Sequence, residues 1–120
     1  MVQNDTVQSA RPVKIAHLIA RMNVGGPAIL ISELISGLDS DGFKSFLITG
    51  FCEENEVDYL EANSINLSEK RIPGFGRSLS PFSDFKSAIQ IAKVLRQIKP
   101  DIVHTHTAKA GVIGRLTALI

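Results

Sequence analysis

The sequence predicts an α/β domain: a parallel sheet with helices on both faces. Three observations predict it. Short apolar runs alternate with segments whose apolar residues recur every three or four positions. Glycine, proline and small polar residues separate the two kinds of segment. The first run is apolar on both of its alternations, as in a strand buried on both faces.

Residues 1–12 are polar, show no periodicity and end in Pro12, so a mobile tail is expected there and a domain over 13–120. Val13 to Ala20 is the first expected strand, interrupted only by Lys14 and His17. The turn Arg21-Met22-Asn23-Val24-Gly25-Gly26 follows, and Pro27 suits a first helical turn because its missing N–H needs no partner there. Leu30, Ile31, Leu34, Ile35 and Leu38 form the expected apolar stripe of that helix, which Asp39 to Gly42 ends.

Phe43 to Phe51 is the second expected strand. The acidic stretch after it reads as a solvated face with a short helix around Val57, Leu60 and Ala62. Ile65 to Ile72 is a weak third strand, and Pro73 to Pro81 is a loop long enough to favour a functional role. Phe82 to Lys99 is the clearest helix. Its expected stripe is Phe85, Ala88, Ile89, Ala92, Leu95 and Ile98, with Ser83 as N-cap and Pro100 as stop. Asp101 to Thr105 is a fourth strand, leading to a last helix that runs to Ile120.

Composition excludes several functions. Thirteen Lys and Arg against 12 Asp and Glu give a net charge of +1, too neutral for a nucleic-acid arm. With 44% apolar residues the chain is not disordered. A single cysteine, Cys52, allows neither an intrachain disulfide framework nor a multi-cysteine zinc site, and a lone cysteine is more often packing than nucleophile. No apolar run of about 18 residues and no secretory leader are evident, so a cytoplasmic protein of at most one domain is expected.

Ligands of open parallel sheets bind beyond the carboxyl ends of the strands. Two segments fall there. Gly25 and Gly26 let backbone approach a ligand, and the helix behind them offers free N–H groups suited to phosphate. The same pair also fits a merely tight connection. The spacing matches neither the dinucleotide fingerprint nor a P-loop. The second segment holds His104, Thr105, His106, Thr107 and Lys109. His104 and His106 share a strand face, but a His-x-His pair supplies only two ligands, and His17 lies apart inside the first strand, so no metal site is expected. Hydrogen-bonded histidines at a strand end and contacts to a hydroxyl-bearing or anionic substrate remain the two readings.

Three segments, KIAHLIARMNVGGPAILISELISGL, RIPGFGRSLSPFSDF and DIVHTHTAKAGVIGRLTAL, resemble the N-terminal domain of family 4 glycosyltransferases, in order and over residues 13–120. The resemblance implies a GT-B fold, with two Rossmann-like domains across a cleft. It implies transfer of a sugar from a nucleotide-sugar donor to an acceptor, with no cofactor and no required metal. Gly25 and Gly26 would lie by the donor diphosphate and stabilise charge on the leaving group. Arg21, Asn23, Arg77, Ser78, His104, His106, Thr107 and Lys109 would be ligand contacts, and the catalytic group would lie beyond Ile120. The chain is then expected to be part of an acceptor-side domain, inactive alone, in bacterial polysaccharide or glycolipid synthesis. A lipid-linked acceptor would bring peripheral contact with the inner membrane face, to which Lys93, Arg96 and Lys99 could contribute. The alternatives are another nucleotide-binding enzyme, such as an oxidoreductase, and a non-catalytic binding module.

Overall fold

The computed structural model describes residues 11–76 and 81–106, together with Gly111 and Gly114. In chain order the elements are β1 (Lys14–Ile19), α1 (Gly26–Ser40), β2 (Lys44–Thr49), α2 (Tyr59–Ala62), β3 (Lys70–Arg71), α3 (Pro81–Ile98) and β4 (Ile102–His106). The strands form one sheet in the order β3-β2-β1-β4, and every neighbouring pair is parallel. This is the expected Rossmann-like α/β arrangement. The expected last helix lies outside the described residues, apart from Gly111 and Gly114, which are helical.

β1 is central because it pairs with β2 on one side and β4 on the other. Its near-continuous apolar run follows from that position, since Ile15 to Ala20 are all buried. Ala16 and Leu18 face a core with Ile48, Phe75, Ile91 and Leu95, which α3 covers. Ile19 and Leu47 face the opposite core, with Met22, Ala28, Ile31, Ile35 and Leu60, which α1 covers. Each core residue removes apolar surface from water on its own side of the sheet, so the sheet is held between two helices.

Two helical stripes differ from the sequence expectation. In α1 the buried positions are Ala28, Ile31, Ser32 and Ile35, while Leu30 is exposed. The apolar content of α1 is wider than the contact it makes, so its periodicity alone did not set its rotation. In α3 the buried positions are Ser87, Ile91 and Leu95, with Ala88, Val94 and Ile98 packed beside them. Phe85 and Ile89 are exposed instead. The Ser87 hydroxyl donates to the Pro73 carbonyl at 3.1 Å, which fixes α3 with a polar residue facing inward. Ser83 is the third residue of this helix rather than its cap.

The third strand shrinks to Lys70–Arg71, because the residues before it form no ladder. The loop after it is built for packing as well as display. Phe75 has no exposed surface and plugs the α3-side core. Gly76 lies against Gly50, and a Cβ on either would overlap backbone atoms of the other segment. At the amino edge, Arg11 donates two hydrogen bonds to Asp101, at 2.7 and 2.8 Å, so this residue of the expected tail is tethered. Asp101 also accepts from the Lys14 N–H at 2.9 Å. Together, with the Arg11 bonds foremost, these hold the Asp101 carboxyl well below the usual carboxylate range.

Candidate functional site

The strand order fixes where a ligand would sit. From β1 the chain proceeds to β2 on one side, and later to β4 on the other. The switch point therefore lies between β1 and β4, where the connections diverge and leave a crevice beyond the strand ends.

The turn after β1 opens onto this crevice. A Cβ added to Gly26 would meet nothing within 4 Å, and one on Gly25 nothing closer than 3.9 Å. Gly25 holds a φ of +157°, a backbone conformation that disfavours a side chain, whereas no clash within the described structure requires glycine at Gly26. The space above it is open to a ligand, and α1 begins at Gly26 with no side chain capping it. Its first N–H groups point toward that space, a favourable environment for an anion. Arg21 lies at the same strand end and pairs with Glu56 at 3.2 Å, with 38% of its side chain exposed. Asn23 is half-buried, and its backbone makes an antiparallel bridge with Asp58. Val24 N–H donates to Val57 at 2.8 Å, and Tyr59 N–H to Met22 at 2.7 Å. The turn is therefore stitched to the segment after β2.

The structure also joins residues that the sequence kept apart. In the parallel register His17 of β1 stands beside His104 of β4, and Ile19 beside His106. The three imidazoles gather on the α1 side of the sheet, with ring centroids 5.5 Å (His17–His104), 5.7 Å (His17–His106) and 4.1 Å (His104–His106) apart. His17 has no exposed surface, His106 is half-buried and His104 is exposed. Nδ1 of His17 lies 3.4 Å from Nε2 of His106. Nε2 of His17 is buried without a hydrogen-bond partner among the described residues. Such a group costs about 1–3 kcal/mol. Burial, then the neighbouring rings, pushes His17 down to about 4 and likewise His106, so both are neutral near pH 7. The sequence placed each histidine on a strand or at its end, and the strand order that makes the first and fourth strands neighbours comes from the structure.

A cleft of about 640 Å³ lies beyond β2 and β3. Phe51, Glu53, Glu54 and Asn55 line one side, and Pro73, Gly74 and Gly76 the other. Phe51 is 53% exposed. An exposed ring beside carboxylates and an amide suits a ligand with both an apolar face and hydroxyl donors. The acidic stretch read as a solvated face thus has one flank on this cleft.

Another member of that stretch is structural. Asp58 accepts from Arg71 at 2.8 and 3.3 Å and from the N–H groups of Leu60 and Glu61 at 3.0 and 3.2 Å. Burial alone would raise the Asp58 carboxyl, but these bonds, led by Arg71, hold it below its ordinary value. The Cys52 thiol donates to the same carboxylate at 3.6 Å. Burial and Asp58 push that thiol up to about 11, so it stays protonated and is unsuited to nucleophilic chemistry. Neither Asp58 nor Arg71 was singled out from the sequence, because their meeting depends on the β2–β3 pairing. Arg77, Ser78, Thr107 and Lys109 lie outside the described residues.

Fold and site together define a Rossmann-type ligand-binding domain, with an open glycine turn and a histidine-lined strand end at its switch point. Residues 14–120 match the glycosyl transferase 4-like family, and the chain belongs to that family. It is 32% identical over 108 residues to an Escherichia coli UDP-Gal:alpha-D-GlcNAc-diphosphoundecaprenol alpha-1,3-galactosyltransferase. That alignment covers 88% of this chain and 26% of the relative, so the chain spans about a quarter of the relative's length. No solved structure matches it.

Proposed function

We propose that this protein acts in glycosyl transfer, moving a sugar from a nucleotide-sugar donor onto a lipid-linked sugar acceptor. The observation that carries this reading is the open Gly25–Gly26 turn at the switch point of a glycosyl transferase 4-like domain. Its free N–H groups would face the donor diphosphate and oppose the charge that builds there as the glycosidic bond breaks. Arg21 adds a fixed cation at the same edge. The cleft beside Phe51, Glu53 and Glu54 is suited to the acceptor sugar, through ring stacking and hydroxyl-to-carboxylate hydrogen bonds. The family match favours this reading over a dinucleotide-dependent oxidoreductase or a binding module. By similarity to the relative, the donor is a UDP-hexose and the acceptor a GlcNAc-diphospholipid.

A lipid-linked acceptor would bring the protein to the inner membrane face. No helix among the described residues is long and apolar enough to cross a membrane. α3 instead offers a surface contact. Phe82 (76% exposed), Phe85 (68%) and Ile89 (42%) share one face. Lys93 and Arg96 continue that face, and Lys86 lies 5.2 Å from the Phe82 ring centroid. Apolar anchors followed by exposed cations along one helix face suit insertion among anionic headgroups.

The test uses the protein expressed from its complete reading frame, with UDP-hexoses and a GlcNAc-diphospholipid. One hexose added to the lipid, and lost in Gly26→Val, is the expected result. No transfer to any lipid-diphosphate acceptor, from protein shown to be folded, overturns the reading. Sedimentation with anionic vesicles tests the contact separately. Phe85→Ser/Ile89→Ser should abolish it, and binding equal to that of the unaltered protein refutes it.

A further inference from the structure

We propose that His17, His104 and His106 form a binding site for one divalent transition-metal ion of the zinc class. One imidazole nitrogen from each residue can be chosen so that all three lie within 4.8 Å of one another. Three histidines match the ligand count of sites that keep a fourth position open, for water or a ligand oxygen.

The distances are close to what such an ion requires. Zinc binds histidine nitrogen at about 2.0–2.1 Å, which places tetrahedral ligands about 3.3–3.4 Å apart. Nδ1 of His17 and Nε2 of His106 are already 3.4 Å apart. His104 is the exposed member and lies at the strand edge, so its ring has room to turn toward the other two. The backbone supplies the rigid part, because His17 and His104 are register partners on hydrogen-bonded parallel strands. Sites built on strands place their ligand atoms more precisely than sites on loops.

His17 has no exposed surface, so packing already holds the ring that would give the first ligand. The site needs nothing from the transfer reaction and stands whether or not that reading holds.

The experiment is a cobalt(II) titration of the untagged, chelator-treated chain, followed by visible absorption and by displacement with zinc. One equivalent of cobalt should give the intense bands of a four-coordinate ion, and zinc should remove them. His106→Gln and His104→Ala remove ligands that are not fully buried, and circular dichroism checks that both variants fold. Each should weaken binding by more than about 10-fold, since loss of an outer-shell partner alone costs about 10–100-fold. Absence of four-coordinate bands in folded protein overturns the proposal. So does an affinity that neither variant changes, because binding would then lie elsewhere.

Discussion

Removing the Asp58 carboxylate should be among the most damaging single changes on this surface. Its side chain is 6% exposed and that of Arg71 17%. Asp58→Ala leaves the guanidinium in a low-dielectric pocket with its remaining bond to the Gly50 carbonyl, at 3.0 Å, and its contact to Glu69, at 3.5 Å. Breaking a buried pair by removing one partner costs about 3–5 kcal/mol. The Leu60 and Glu61 N–H groups lose their acceptor as well, at about 1 kcal/mol for a lost cap. Glu69 recovers part of the charge interaction, so a total of about 3–4 kcal/mol is expected. Against a total stability of about 5–15 kcal/mol, that loss is large but measurable. Urea unfolding followed by circular dichroism reads it, with Arg71→Met and the double variant completing a cycle. The double variant should be less unstable than the sum of the singles by at least about 1 kcal/mol, because it leaves no isolated charge. A loss under about 1 kcal/mol for Asp58→Ala, or an additive cycle, would show that the pair is not the interaction described.

The remaining expectations test other parts of the structure. The Asp58 carboxyl is held below its unfolded value, so its contribution is full above the ordinary carboxylate range and is lost as pH falls through the lower folded value. Acid unfolding of Asp58→Asn should accordingly be less steep, and an unchanged profile would contradict this. Gly76→Ala drives a Cβ into the Phe51 carbonyl and the Arg21 side chain, so a loss of at least about 2 kcal/mol in urea is expected. Gly26→Ala meets open space, so stability should hold or rise by about 0.4–1 kcal/mol. Nucleotide-sugar turnover by the complete protein should nevertheless fall, and unchanged kinetics would separate the turn from the donor. With its thiol near 11, Cys52 should react with iodoacetamide at pH 7 far more slowly than a free cysteine, as mass spectrometry over time would show.

The sequence by itself determined the alternation of elements, the parallel sheet and the family. Apolar runs and helical periods are local, and the turn chemistry between them leaves little choice of connection. It also marked Gly25, Gly26, His104 and His106 at the carboxyl ends of strands, because a strand followed by a helix in a parallel sheet always leaves its end at the ligand edge. Only the tertiary structure decided which helix faces were buried. The stripes of α1 and α3 are wider than the surfaces they meet, so period alone leaves the rotation open. Phe85 and Ile89, core residues by periodicity, lie on the exposed face of α3, and Ser87 meets Pro73 on the inner one. The same holds for partners distant in sequence. His17 meets His104 and His106 through the β1–β4 register. Asp58 meets Arg71 because β3 pairs beside β2. Hydrophobic period specifies that a residue is inside, but the strand order and register specify what it touches there.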